Sequence, residues 1–146
     1  MKKIIIIALS VFSLGILTAN ADNNRIITVN QLPKKAQQFI SQHFDGAKTT
    51  YVKEEREFIE NSFEVMFANG TKVEFTGKGE WKEVDCRNTA VPGNIIPAPI
   101  LKYVNDNHPN TKVLKIERDR NDYELKLSNR LELTFDKKFN IIDIDD

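Results

Sequence analysis

The sequence predicts an α+β fold: two tandem helix-plus-four-antiparallel-strand repeats, with the helices packed on one face of the sheet or sheets. Three observations carry this expectation. The stretch from Ser62 to Asp85, SFEVMFANGTKVEFTGKGEWKEVD, recurs in pattern from Asp122 to Asp145, DYELKLSNRLELTFDKKFNIIDID. Each copy alternates apolar and polar residues on either side of a tight turn, as a half-buried hairpin does. Each is also preceded, at Leu32-Pro33 and Ile96-Pro97, by a segment whose apolar residues fall at helical spacing.

The chain opens with Met1-Lys2-Lys3, an apolar run from Ile4 to Leu17, and Thr18-Ala19-Asn20-Ala21. This order of charged, apolar and small residues predicts a signal peptide over residues 1–21. Its apolar run of about 14 residues is shorter than the roughly 20 that cross a bilayer, so no stable membrane anchor is expected after cleavage. The single cysteine, Cys86, lies far from the cleavage position and cannot carry a lipid there. The expected product is an exported, soluble periplasmic protein. Cleavage leaves 19 basic against 21 acidic residues, a net charge of −2. A nearly neutral chain without a Lys/Arg stripe argues against nucleic acid and anionic membrane as partners.

Residues 22–91 form the first expected unit and residues 92–146 the second. A half of about 60 residues is marginal alone, so the two are expected to share one compact domain. Asp22 to Arg25 reads as a polar leader, and Ile26 to Val29 leads into the first ordered element. Helix one begins at Pro33, where a missing N–H costs nothing. Leu32, Ala36, Phe39, Ile40 and Phe44 share its apolar face, and Asp45-Gly46 ends it. Strands follow at Lys48 to Glu55, at Ser62 to Thr76 as a hairpin turned by Asn69-Gly70, and at Trp81 to Cys86.

The second unit repeats this plan. Ile100, Leu101, Tyr103 and Val104 correspond to Ala36, Gln37, Phe39 and Ile40, and the helix stops by Asn107 ahead of His108-Pro109. Strands are expected at Lys112 to Asp119, Tyr123 to Leu127, Leu131 to Phe135 and Ile141 to Asp145. Pro97 follows Pro33 by 64 residues and Tyr123 follows Phe63 by 60, so the loop between the first two strands is four residues shorter in the second unit.

Alternation sorts the strand residues into two faces. Val52, Phe63, Val65, Phe67, Val73, Phe75 and Val84, with Ile116, Tyr123, Leu125, Leu127, Leu133, Phe135 and Ile144, form the expected helix-covered core. Tyr51, Lys53, Glu64, Met66, Lys72, Glu74, Trp81 and Glu83 form the opposite face of unit one and are the candidate partner-binding residues. Lys115, Glu117, Glu124, Lys126, Glu132 and Asp143 continue that face in unit two. A solvated lattice of cross-strand pairs is the simpler account of such charges. Aromatic residues among them favour a recognition surface.

No catalytic residues are predicted. His43 and His108 fall at helix ends, where a cation is favoured, and neither approaches a nucleophile motif. Cys86 has the parity of Val84 and reads as a small buried side chain. No Gly-rich phosphate loop or paired-cysteine metal motif occurs. For a hard cation such as calcium the candidates are Asp143, Asp145 and Asp146, without EF-hand spacing.

Leu32-Pro33 with its helix, the strand at Lys48 to Glu55, the Phe63 to Phe75 hairpin and Gly77-Lys78-Gly79-Glu80-Trp81, repeated from Ile96-Pro97 to Asp145, resemble the PepSY-like proteins exported by Bacteroides-type bacteria. At Lys137-Lys138-Phe139-Asn140-Ile141 the second copy lacks the glycines and the tryptophan. The resemblance implies a fold like that of the β-lactamase-inhibitor protein. It also implies restraint of peptidases, target binding through the concave face of the sheet as in the inhibitor, or calcium responsiveness, and no enzymatic role. The expected function is a non-enzymatic periplasmic protein that binds or inhibits a protein partner through its open sheet face. The alternative is a calcium- or small-ligand-responsive binding protein. No cofactor other than calcium is expected.

Overall fold

Alternating apolar and polar residues build nine strands, which hydrogen-bond in their order along the chain. The computed structural model describes residues 23–146; the expected signal peptide, residues 1–21, lies outside them. In chain order the elements are β1 (Arg25–Ile27), α1 (Lys34–His43), β2 (Thr49–Arg56), β3 (Asn61–Phe67), β4 (Lys72–Thr76) and β5 (Trp81–Asp85). They continue with α2 (Ala98–Asn107), β6 (Val113–Arg118), β7 (Asp122–Leu127), β8 (Glu132–Asp136) and β9 (Ile141–Asp145).

This architecture overturns the expected pair of α+β repeats. Among the described residues all nine strands belong to one continuous antiparallel sheet, and with two ten-residue α-helices and a short 3-10 turn at Val29–Gln31 the fold is mainly β. The physical reason lies at the strand edges. An unpaired strand exposes a row of N–H and C=O groups. β5 and β6 satisfy each other's row, pairing Glu83 with Glu117, Val84 with Ile116 and Asp85 with Lys115. The leader contributes one more strand, as Ile26 and Ile27 pair with Lys53 and Val52.

One lateral row of side chains runs through Val65, Val73, Val84, Ile116, Leu125 and Leu133, so a single face is apolar across the sheet. Both helices cover that face. α1 inserts Ala36 and Ile40, and Phe39 meets Phe75 edge-on at 5.6 Å. α2 inserts Ile100 and Val104, and Tyr103 meets Phe135 edge-on at 5.3 Å. Phe75 and Phe135 are fully buried. Burial of such a side chain contributes about 1.5–3 kcal/mol, and the edge-to-face geometry adds about 1 kcal/mol.

The register shifts at four bulges, and the two on β5 and β9 re-aim side chains that the alternation had placed. Glu74 pairs with Glu83 while Phe75 pairs with Trp81, so Lys82 is the extra residue. Thr134 pairs with Asp143 while Phe135 pairs with Ile141, which makes Ile142 extra. A bulge turns every side chain beyond it to the other face. Trp81 therefore lies beside Phe75 on the helix-covered face, stacked on Phe39 at 6.2 Å, and not on the open face where strict alternation placed it. Ile144, expected in the core, is half exposed because β9 is the sheet's last strand. That edge carries Asp143 and Asp145, charges that discourage pairing with another chain.

The turn before β5 is tightly seated against α1. Gly79 has φ +86°, and a Cβ there would lie 2.7 Å from Pro33 Cβ. Gly46 has φ +74° with open space around it. Both Gly→Ala replacements incur left-handed strain of about 1–2 kcal/mol, and only the first adds a clash. Urea unfolding is expected to show Gly79→Ala as the more destabilised variant; equal losses would refute the packing of that turn on α1.

Candidate functional site

The face without helices carries two lateral rows of polar side chains. The first runs Lys53, Glu64, Glu74, Glu83, Glu117, Glu124, Thr134 and Asp143 across β2 to β9. The second runs Tyr51, Met66, Lys72, Asp85, Lys115, Lys126, Glu132 and Asp145. Five glutamates, Glu64 to Glu124 in that order, thus stand directly opposite one another on adjacent strands. Like charges in such positions repel.

Lysines from the second row relieve most of this repulsion. Lys72 Nζ lies 2.9 Å from Glu74 and 3.0 Å from Glu83, and Lys115 Nζ lies 3.1 Å from Glu83 and 3.6 Å from Glu117. Lys53 Nζ reaches Glu55 at 2.6 Å and Glu64 at 3.8 Å. The Tyr51 hydroxyl donates to Glu64 Oε1 at 2.6 Å. That hydrogen bond, with burial, pushes the Tyr51 pKa up.

Glu83 is the centre of this lattice and the buried member of its two rows. Burial would push its carboxyl up, but hydrogen bonds and charge from Lys72 and Lys115 outweigh burial and hold it below the usual range. Lys72 and Lys115 are also desolvated, and their glutamate partners raise both. Glu124 behaves oppositely. Burial and the charges of Glu117, Asp122, Asp119 and Glu132 push it up, and among the described residues no lysine forms an ion pair with it.

Around Glu124 the sheet curves into a groove of about 530 Å³. Six carboxylates, Asp85, Glu117, Glu124, Glu132, Asp143 and Asp145, line it with Arg87, Lys115 and Lys126. Asp143 and Asp145 thus face the groove, while Asp146 lies beyond it at the end of the chain. Among the described residues no three His, Cys, Asp or Glu side chains gather closely enough to hold a metal ion.

Of the candidate residues, Tyr51, Lys53, Glu64, Met66, Lys72, Glu74 and Glu83 share the open face, and Trp81 does not. Asp85 was missed although its spacing from Glu83 gives it the same parity. Cys86 is buried, and burial pushes its thiol up, away from nucleophilic character. His43 ends α1 against Phe39, with ring centres 4.6 Å apart, and His108 follows α2.

The family described as "Putative beta-lactamase-inhibitor-like, PepSY-like" matches residues 61–143. The chain belongs to this family. Solved structures agree. A protein of Bacteroides thetaiotaomicron called a "putative calcium-regulated periplasmic protein" is 60% identical, with a TM-score of 0.84 over 86% of this chain and 99% of that one. A protein of Bacteroides vulgatus called a "putative periplasmic protein" of the DUF2874 family is 51% identical, with a TM-score of 0.84 and the same coverage. Another protein from that species, called a "putative periplasmic protein of unknown function", is 40% identical, with a TM-score of 0.80 over 84% of this chain and 99% of that one. No curated protein matches the sequence. Like these relatives, the PepSY-like chain is periplasmic, and among its described residues no helix is long and apolar enough to cross a membrane.

The two shifted carboxyls make opposite predictions. Glu83, depressed in the folded state, stabilises the PepSY-like sheet above its unfolded pKa near 4.5, and that contribution is lost as pH falls through the lower folded value. Glu83→Gln should cost about 1–3 kcal/mol at pH 7, and the deficit should shrink below about pH 4.5. Glu124, raised in the folded state, opposes folding above its folded pKa. Glu124→Gln should raise the melting temperature slightly at pH 7, and the gain should fade in acid. Melting curves from pH 3 to 8 check both signs.

Proposed function

We propose that this PepSY-like protein is a non-enzymatic periplasmic recognition protein that binds, and so restrains, a protein partner through its open sheet face. The observation that supports this most is the in-register glutamate row, held by Lys53, Lys72 and Lys115 on a face that neither helix covers. Bridged side chains have already lost rotamer freedom, so a partner meeting them loses less entropy on binding. Tyr51 and Met66, side by side at one end of the lattice, supply an apolar anchor of the kind that concentrates binding energy. The acidic groove at the other end suits a partner surface bearing lysine or arginine. The family's β-lactamase-inhibitor-like description accords with an inhibitory role.

A photo-cross-linking residue placed at Met66 or Lys126 should capture a partner in the periplasm. The same residue at Gln38, on the exposed side of α1, should not. Equal capture from all three positions, or none, would defeat the open-face reading. Capture from the charged face should also weaken as salt is raised.

A second reading, a calcium-responsive protein, draws on the name of the 60% identical relative and on Asp143 and Asp145 facing Glu124 and Glu132 in the groove. Calcium should then raise the melting temperature of the unmodified protein and not of an Asp143→Asn, Asp145→Asn variant. An unchanged melting temperature in millimolar calcium removes this reading.

A further inference from the structure

The helix-covered face has a second cleft, at the ends of β5, β6 and β7, built by residues that the lattice does not use. Arg118 lies over the ring of Trp81, 4.1 Å from its centre, and its Nε donates to the Trp81 carbonyl at 2.7 Å. Lys137 lies over the ring of Tyr123 at 4.4 Å. Both cations line the same cleft, of about 680 Å³. Among the described residues neither has a carboxylate within ion-pair distance. Both rest instead on aromatic faces, which orient a cation without neutralising it.

The surroundings add positive charge. Lys78, Lys82 and Arg120 also line the cleft, giving five cations against Glu60, Glu80 and Asp119. Glu80 is engaged by Lys35 at 3.4 Å, and Asp119 accepts the backbone N–H of Asn121 at 2.7 Å. Arg118 is half-buried, and its desolvation outweighs the charge of Glu80 and a hydrogen bond with Tyr123. The Trp81 ring is already in contact with both Phe39 and Arg118. The cleft presents cationic N–H donors with an excess of two positive charges.

We propose that this cleft is a phosphoryl-binding site in which Arg118, set by Trp81, and Lys137, set by Tyr123, grip a dianionic phosphate group. A guanidinium fork with a nearby ammonium matches several phosphate oxygens, and such charge-assisted bonds are the strong ones. The site lies on the opposite side of the sheet from the glutamate lattice, so it is independent of the partner reading. The phosphoryl group could belong to a free solute or to a lipid headgroup. Phe58 and Ile59, fully exposed in the loop next to Glu60, would face a bilayer in the second case.

Trp81 is the only tryptophan and reports on the site directly. Its fluorescence should change saturably with inorganic phosphate, and not with chloride at matched ionic strength or with succinate. A change with phosphatidylglycerol–phosphatidylethanolamine vesicles and none with phosphate would assign the group to a lipid. In either arm Arg118→Gln should weaken binding at least about tenfold. Lys137→Gln, at an exposed position, should weaken it without disturbing the fold, and it carries the test if the Arg118 variant does not fold. The proposal is overturned by no response in either arm, by an equal response to chloride or succinate, or by unchanged affinity in the folded variants.

Discussion

Glu83 bears on more of this structure than any other polar side chain. It stands on β5 at the seam of the sheet, bridged by Lys72 from one side and Lys115 from the other. Lys72 belongs to the strands that precede the seam and Lys115 to those that follow it. The carboxylate therefore ties the polar faces of both halves while Val84 and Ile116 tie the apolar ones. A buried carboxylate flanked by Glu74 and Glu117 could not remain ionised without those two ammonium groups.

A row of five opposed glutamates is an expensive way to cover a sheet. Threonine or alternating charges would avoid the repulsion altogether. The fold tolerates it because the other face buries an uninterrupted apolar row under both helices, and the lysines restore local neutrality from Lys53 to Glu117. Beyond Glu117 that restoration stops. Glu124 is left with like-charged neighbours, and the lattice there opens into the acidic groove.

The sequence made the local features legible, and the long-range ones only in part. Alternation located the Phe63 to Phe75 hairpin and the buried face, because a strand's period of two is written residue by residue. Proline and glycine placed the helix ends within a residue or two. The single sheet was not legible, because the β5–β6 pairing joins segments separated by α2 and leaves no local mark. Nor were the bulges. Lys82 looks like any strand residue, yet as the extra one it carries Trp81 from the expected recognition face to the helix face. With Trp81 went the chance of finding Arg118 and Lys137, whose roles appear only once the rings beneath them are placed.

The same seam has consequences on both sides of the sheet. On the open face Glu83 and Lys115 close it. On the helix face the Arg118 guanidinium reaches back from β6 to the Trp81 carbonyl at the start of β5 and lies on that residue's ring. Without the bulge at Lys82, Trp81 would share the face of Glu83, and Arg118 would have neither ring nor carbonyl to set it. One extra residue thus keeps the tryptophan out of the lattice and brings its ring to Arg118 in the cationic cleft. The parity change within the five residues of β5 puts Glu83 on the face of the acidic groove and Trp81 on the face of the cationic cleft.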